Sequence, residues 1–278
     1  MLMPGALAAQ TAPTIDTEDA QLGEVTVGEG RFHPVLGADI RNGDFARGSY
    51  DDDAANLHRL PVHLQAGFNY AIGQGADGQA NAWLVVTSSN GIHSPASYEV
   101  VHPRAWYESN NLVGVVAEPL PGLRVGGVYT IKTSPNDVSG TTHEASLTAA
   151  FEAKQGWGVL NPTFVATVHP QGGGGIYTQF GVSPSLPLGS GEKAPSLGVP
   201  LLIGVGWDGF YQRGTGSLTY GSAGLSLSQP FRMGPAHAEF QASALALIRD
   251  NRLRRLGSAD AETSMVVPLV QIGVSVAL

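Results

Sequence analysis

The sequence predicts an all-β chain that closes into a single antiparallel, up-and-down transmembrane β-barrel of about 12 strands. Segments of roughly ten residues alternate apolar and polar side chains with a period of two, the length and pattern of a tilted membrane-crossing strand. The chain has only 15 Lys and Arg and 23 Asp and Glu among 278 residues, few for a soluble surface. No apolar run reaches the roughly 18–20 residues of a membrane-spanning helix, so the chain can cross a membrane only with β-strands.

The clearest element is a hairpin over residues 122–154, in which two alternating arms flank the turn-rich segment 134–140. One face of each arm is apolar and the other is charged. A turn centred on Val138 pairs residues whose numbers sum to 276. This register predicts two ion pairs directly across the ladder, Lys132 with Glu144 and Arg124 with Glu152.

The other strands share this alternation and are separated by Gly, Pro, Asn and Asp. The second strand is the most regular, with apolar residues from Val62 to Ile72 alternating with His63, Gln65, Gly67 and Asn69. The tenth changes phase, which predicts a bulge at 221–224. In chain order, we predict strands at 31–41, 62–72, 80–88, 106–117, 123–132, 144–154, 160–168, 176–186, 199–211, a tenth around 220–225, 239–248 and 270–278.

An even strand number places both chain termini on one side of the membrane. Four polar segments then fall outside, at 42–59, 95–104, 134–141 and 249–263. Three short turns fall inside, at 73–79, 119–122 and 154–157. The segment 187–197 is long for an inner turn, so the strand count is open by one hairpin.

The N-terminus predicts a domain order of three parts. Residues 1–8 end in the small-x-small pattern Ala6-Leu7-Ala8 and are interpreted as the remainder of a signal peptide, the alternative being a disordered terminus. Residues 9–23 are predicted to be a flexible periplasmic segment, and 24–278 the transmembrane barrel. The absence of Cys fits an oxidising compartment, and the net charge of -8 argues against nucleic acid as a partner.

The chain resembles the outer-membrane β-barrel proteins of Gram-negative bacteria, and the resemblance covers nearly all of the mature chain. Its most specific part is the final alternating strand, from Gln271 to Leu278. Barrels of that class end in such a strand, closed by an aromatic residue where this chain has Leu278. The resemblance implies location in the bacterial outer membrane, contact with outer-membrane lipid and lipopolysaccharide, and recognition of the last strand by the barrel-assembly machinery.

Catalytic, metal and cofactor sites are not predicted. Barrel phospholipases and lipid A deacylases resemble one another in a His-x-Ser pair on one face of a strand, and none of the eight His fits that spacing. His93 precedes Ser94 directly, which puts the two on opposite faces. Asp51-Asp52-Asp53 offers oxygen ligands for a divalent cation, but a solvated acidic loop is the favoured interpretation.

Function is expected on the inward face. Its acids and bases nearly cancel, so no ring of one charge is predicted. The first hypothesis is a narrow passive channel for small hydrophilic solutes; the alternatives are a non-conducting structural or surface-interaction barrel, a lipid-modifying enzyme and a soluble secreted β-sandwich. The predicted lining residues are Asp39, Arg41, His63, Gln65, Asn69, Glu108, Arg124, Lys132, Glu144, Glu152, Lys154, Tyr177, Gln179, Asp208, Glu239 and Gln241.

Overall fold

A computed structural model of the chain describes residues 10–51, 55, 57–75, 78–153, 156–172, 174–191, 193–256 and 263–278. Its strands, numbered along the chain, are β1 (Gln10–Ile15), β2 (Leu22–Val27), β3 (Phe32–Arg41), β4 (Phe45–Ala46), β5 (Ser49–Tyr50), β6 (Val62–Gln74), β7 (Ala80–Ile92), β8 (Trp106–Leu120), β9 (Leu123–Thr133), β10 (Thr142–Phe151), β11 (Thr163–Val168), β12 (Tyr177–Val182), β13 (Ser185–Pro187), β14 (Ser196–Gly198), β15 (Leu201–Gly206), β16 (Leu218–Met233), β17 (Ala236–Arg249) and β18 (Val266–Ala277). Two short 3₁₀ helices lie at Gly156–Leu160 and Leu253–Arg255.

Twelve of these strands, β3, β6–β12 and β15–β18, form a closed antiparallel barrel among the described residues. Each pairs with the barrel strand that precedes and follows it in the chain, and β18 pairs with β3 from Gln271 opposite Arg41 to Ala277 opposite Val35. The predicted fold class, an up-and-down barrel of 12 strands, is confirmed. No helix in the described part of the chain is long and apolar enough to cross a membrane.

The outer face of the barrel is apolar. In β10, Leu147 is 68% exposed, whereas its neighbours Ser146 and Thr148 are 5% and 3% exposed. The same alternation exposes large apolar side chains on other strands, among them Leu36, Leu64, Val115, Phe180, Ile203 and Ile272. A continuous apolar exterior with polar residues at the alternate positions is the pattern of a barrel that faces lipid.

The register of the β9–β10 hairpin differs from the prediction by two residues. Lys132 lies opposite Thr142 and Arg124 opposite Ala150, so the predicted direct opposition of the two ion pairs is wrong. Lys132 still pairs with Glu144, at 3.5 Å, from a diagonal position. The turn is centred on Asp137, which adopts a left-handed φ of 59°, rather than on Val138. A shift of two residues leaves every side chain on its predicted face, because the side-chain period of a strand is two.

Several predicted strand limits also change. Strand β15 ends at Gly206 instead of continuing to 211. The described part of the long segment 187–197 contains no additional barrel strand, because β13 and β14 form a small hairpin. Strand β14 pairs with β16 next to the first residue of β15. Strand β16 pairs with β17 without a shift in register, so the bulge predicted at 221–224 is wrong.

The segment that follows the predicted signal peptide differs from the flexible lead-in that the sequence predicted. Residues 10–15 and 22–27, expected mostly within a flexible lead-in, pair as β1 and β2 in an N-terminal hairpin (residues 10–27). Asp16 stabilises its turn, because Oδ1 accepts hydrogen bonds from the backbone N–H groups of Glu18 and Asp19. The barrel itself begins at Phe32 rather than at residue 24. The predicted signal peptide, residues 1–8, lies outside the described residues.

Candidate functional site: the barrel lumen

The N-terminal hairpin occupies the lumen. Its apolar side chains Ile15, Leu22, Val25 and Val27 are all at most 8% exposed. They belong to one buried cluster with inward-facing residues of the wall formed by β7, β8, β9 and β11, namely Trp83, Val85, Leu112, Val116, Val128 and Val165. The hairpin therefore packs by apolar contact against this wall of β7, β8, β9 and β11, which we call the dry wall.

A glycine in the dry wall marks the closest approach of the hairpin. Gly114, on β8, lies beneath Ile15, and a Cβ atom built at Gly114 would stand 2.8 Å from Ile15 Cδ1. A side chain at this position would compete with Ile15 for the same space. Gly114 thus provides the notch that receives the hairpin.

The opposite side of the hairpin leaves open space. Two cavities of about 550 and 310 Å³ lie between it and the wall formed by β16, β17, β18 and β3. They adjoin, since they share the lining residues Asp16, Asp19, Gln21, Arg41, Ser243 and Gln271. The larger cavity is also lined by Gln65, Glu239 and Gln241, which the sequence placed on the inward face. Two adjoining cavities, the larger of them mainly polar, thus lie beside the hairpin.

The described part of the 42–61 loop lies at the end of the barrel opposite to Leu278, the side on which the sequence predicted an outer loop at 42–59. This part of the loop folds into the lumen. Its buried Arg47 forms a two-pronged ion pair with Glu144, at 2.5 Å and 2.6 Å from the two carboxylate oxygens. The Arg47 guanidinium lies 4.9 Å from the ring centre of Tyr177. Burial lowers the pKa of Arg47, but the Glu144 carboxylate outweighs it and holds this pKa above its ordinary value. Lys132 Nζ lies 3.5 Å from the same carboxylate.

The hairpin and the 42–61 loop meet at a group of acidic residues. Glu18 bonds to Arg41, whose Nη1 is 3.9 Å from Asp44 Oδ1. Tyr107 donates a hydrogen bond of 2.6 Å to Asp44 Oδ2. Burial raises the pKa of Glu18 to about 8, although the charge of Arg41 opposes this rise.

Asp44 keeps its charge in the same group. Burial acts to raise the pKa of Asp44, but the nearby charges of His63 and Arg41 and the hydrogen bond from Tyr107 lower it well below its usual range. His63 is wholly buried, and its Nε2 lies 3.3 Å from Glu108 Oε2 and 3.6 Å from Asp44 Oδ2. This end of the lumen therefore holds several carboxylates at close range.

A second polar network fastens the loops at the same end. The Glu99 carboxylate is buried and accepts hydrogen bonds from Arg59 Nη2 at 3.0 Å and Asn136 Nδ2 at 3.2 Å. His93 Nε2 lies 2.7 Å from the same carboxylate, and its ring stacks on Tyr107 at 4.3 Å. This network joins three loops to the wall, which fixes the end of the barrel at which the 42–61 loop enters.

The structure brings most of the predicted lining residues to the inward face. They are Asp39, Arg41, His63, Gln65, Asn69, Glu108, Arg124, Lys132, Glu144, Tyr177, Gln179, Glu239 and Gln241. Many of them bond to the hairpin or the 42–61 loop: Arg124 pairs with Glu24, and Gln179 donates to Asp19 and Gln21. Whether they line a conducting pore stays a prediction.

Three predicted residues do not join this group. Asp208 lies in an exposed turn with a φ of 41°, because β15 ends two residues earlier. Glu152 is exposed beyond the end of β10. Lys154 lies outside the described residues, as do Asp52 and Asp53 of the predicted acidic loop.

The sequence did not predict the charged residues that enter the lumen from the N-terminal hairpin and the 42–61 loop. These are Asp16, Glu18, Asp19, Asp44 and Arg47. The alternation in residues 22–27 was a usable signal, since Leu22, Glu24 and Thr26 alternate with Gly23, Val25 and Val27. No comparable pattern marks Asp44 or Arg47, which act through a loop fold that only the structure reveals.

A closed, antiparallel, twelve-stranded sheet with an apolar exterior and a polar, partly filled interior is now established for the described residues. The chain has an outer-membrane β-barrel fold. No protein-family model matches the sequence, and no curated protein matches it.

Solved structures of similar overall form were found at low sequence identity. A bacterial polysaccharide outer membrane secretin is 9% identical with a TM-score of 0.43, and the match covers 89% of this chain and 98% of that one. LpxR from Salmonella typhimurium is 11% identical with a TM-score of 0.44, over 87% and 99% of the two chains. OpdK from Pseudomonas aeruginosa, solved with vanillate, is 9% identical with a TM-score of 0.29, over 89% and 98%. The fold of this chain is established by its own strand pairing.

Proposed function

We propose that this protein is a narrow passive channel of the bacterial outer membrane, in which small hydrophilic solutes pass beside the N-terminal hairpin. The observation that carries the proposal is the pair of adjoining cavities, the larger of them mainly polar, between the hairpin and the wall of β16, β17, β18 and β3. Twelve strands enclose a lumen between the filled interior of eight-stranded barrels and the open channel of sixteen. The hairpin reduces this lumen to a passage on one side.

The charges beside the passage favour neutral or cationic solutes. The hairpin contributes Asp16, Asp19 and Glu24, and the wall contributes Asp39 and Glu239. Arg41 is the cation among the described lining residues of the larger cavity. Most of the excess negative charge of this lining therefore comes from the hairpin. An acidic lining attracts cations and repels anions.

The apolar exterior suits outer-membrane lipid and lipopolysaccharide as surroundings, and the alternating strand β18 suits recognition by the barrel-assembly machinery. Both partners belong to this proposal. A non-conducting structural or surface-interaction barrel is the second candidate. The contact between Glu18, Arg41 and Asp44 favours it, because the hairpin and the 42–61 loop meet there across the lumen.

Conductance in planar lipid bilayers separates the two candidates. The wild-type chain is expected to give small, cation-preferring steps, and a variant that lacks residues 10–27 is expected to give larger steps with weaker cation preference. Deletion of 188–194, the turn between β13 and β14, removes a segment that lies outside both lumen cavities and serves as the control.

Folding of each variant is checked by its heat-modifiable migration on gels, and liposome swelling with sugars of graded size gives the size limit. Wild-type protein that is folded but does not conduct, together with a hairpin deletion that does, would support the non-conducting candidate. Equal conductance in wild type and hairpin deletion would exclude a passage beside the hairpin.

A further inference from the structure

Four potential metal ligands converge inside the lumen, near the end of the barrel at which the 42–61 loop enters. Glu18, Asp44, His63 and Glu108 each offer one ligand atom, and these four atoms lie within 4.8 Å of one another. They come from four separate segments: the hairpin turn, the 42–61 loop, β6 and β8. We call this set the lumen cluster. Convergence of a histidine and three carboxylates from distant parts of a chain is typical of a metal site.

The charges around the lumen cluster are unbalanced. Asp39 adds a fourth carboxylate, since its Oδ1 lies 3.5 Å from His63 Nδ1. Among the described residues, Arg41 and His63 are the basic side chains in contact with these four carboxyl groups. Arg41 is shared between Asp39, Glu18 and Asp44. Asp44 and Glu108 are 1% and 9% exposed, so water does little to compensate their charge. A bound cation would offset this buried negative charge.

Two buried polar side chains at the cluster have atoms without a hydrogen-bond partner among the described residues. Asn110 is 1% exposed; its Nδ2 donates to Glu108 Oε1, which aims the carboxamide at the cluster, while Oδ1 has no partner. His63 is wholly buried and its Nδ1 forms no hydrogen bond. Its position near Asp39 matches the carboxylate–histidine–metal arrangement, in which a carboxylate on one ring nitrogen orients the other nitrogen toward the ion.

We propose that the lumen cluster binds one divalent transition-metal ion, of the Zn²⁺ or Mn²⁺ class, through His63 Nε2 and the carboxylates of Glu18, Asp44 and Glu108. One imidazole nitrogen with three carboxylate oxygens suits these ions better than Ca²⁺ or Mg²⁺, which take oxygen ligands alone. The Tyr107 hydroxyl, bonded to Asp44, and Asp39, beside His63, orient the ligands. Because Glu18 belongs to the hairpin and Glu108 to the barrel wall, the ion pins the hairpin in place.

Zn²⁺ binding to the full chain in detergent tests the site. After treatment with a chelator, the wild-type protein is expected to take up one Zn²⁺ per chain in equilibrium dialysis, with Mn²⁺ and Ca²⁺ run as comparisons. Glu18→Gln and Glu108→Gln, which keep the size of the side chain, are each expected to weaken binding at least about tenfold, and Asp39→Asn, which removes an orienting carboxylate, by about 10- to 100-fold. Glu239→Gln is the matched control, because Glu239 faces the lumen but bonds to Ser228 and Gln241 instead.

Labelling of an introduced cysteine measures separately whether Zn²⁺ holds the hairpin in place. The chain has no Cys, so Ala12→Cys places a unique thiol at a wholly buried position of the hairpin. Zn²⁺ is expected to slow maleimide labelling of this thiol about tenfold or more, and to have no effect when Glu18→Gln is added. That double variant also excludes an effect of zinc on the thiol itself.

Unchanged Zn²⁺ affinity in folded Glu18→Gln, or no saturable uptake by the wild type, would overturn the site. If Glu108→Gln does not fold, Zn²⁺ binding by Glu18→Gln tests the site, because Glu18 is not part of the barrel wall. Labelling that Zn²⁺ leaves unchanged would overturn the pinning. None of these measurements depends on conductance, so the site and the channel proposed above can fail separately.

Discussion

The seat of the N-terminal hairpin on Gly114 gives a quantitative prediction. In Gly114→Leu, the new Cβ would stand 2.8 Å from Ile15 Cδ1, closer than real Cβ contacts, and three further carbons would enter the same space. Gly114 does not occupy the left-handed region of φ, so the substitution strains packing rather than the backbone. Overpacking of this kind costs about 1–3 kcal/mol. The substitution destabilises the docked state of the hairpin. The hairpin can move away from the new side chain, whereas β8 is held by both neighbouring strands.

The expected result is a larger population of undocked hairpin. A cost of 1–3 kcal/mol corresponds to an increase of about 5- to 150-fold. The assay is maleimide labelling of Ala12→Cys, whose side chain is wholly buried when the hairpin is docked. Labelling in Gly114→Leu is expected to accelerate by this factor.

Two further variants make the test specific. Ile15→Ala removes the atom that clashes, so adding it to Gly114→Leu is expected to slow labelling again, although alone it weakens docking by leaving a cavity. Gly127→Leu is the control, because Gly127 is exposed and its Cβ position has no atom within 4 Å. Labelling that Gly114→Leu leaves unchanged, or that Gly127→Leu accelerates equally, would refute the proposed seat.

Two other predictions concern the wall. Leu147→Arg places a charge on the outer face and is expected to cost about 2–4 kcal/mol in urea unfolding from lipid vesicles, against little for Leu147→Phe; equal stabilities would mean that this face does not meet lipid. Arg at Thr148 is not expected to be tolerated either, because this inward position is 3% exposed in a filled lumen. Glu144→Gln leaves buried Arg47 without its carboxylate partner and is expected to cost about 3–5 kcal/mol, whereas Glu239→Gln, at a wetter position, should cost about 1 kcal/mol or less; a smaller loss for Glu144→Gln would contradict a buried ion pair.

The barrel itself was predictable because its signal is local. Alternation with a period of two identifies both the strand and the face of each side chain, which is why Leu147 and Glu144 lie where the sequence placed them. Register was less predictable, because it depends on the conformation of one turn residue. Asp137 adopts a left-handed conformation, and this moved the β9–β10 pairing by two residues without changing either face.

The contents of the lumen were not predictable in the same way. Arg47 reaches Glu144 from 97 positions away in the chain, through a loop without a repeating pattern. The lumen cluster likewise joins Glu18 to Glu108 across four segments. Polar residues on the inward face indicate where such partners bind, but the residues alone do not reveal which segment supplies them.

One feature of the wall nevertheless indicates that the lumen is occupied. A water-filled barrel needs polar residues at its inward positions, yet β7 and β8 place Trp83, Val85, Leu112 and Val116 there, all at most 4% exposed. Strands that are apolar on both faces need an apolar partner on each side, and lipid covers only the outer face. The hairpin is that partner, because its buried apolar side chains belong to the same cluster as these wall residues.

The opposite wall has the complementary composition. At the inward positions of β16, β17 and β18 stand mainly Ser, Gln, Gly and Glu, lining the larger cavity. Asp16, Asp19 and Glu24 of the hairpin line this cavity, so the seated hairpin presents its acidic residues to the polar wall. The difference between the two walls therefore favours the observed seat and leaves the larger cavity on the polar side. A symmetric polar lining would leave the hairpin without a preferred wall.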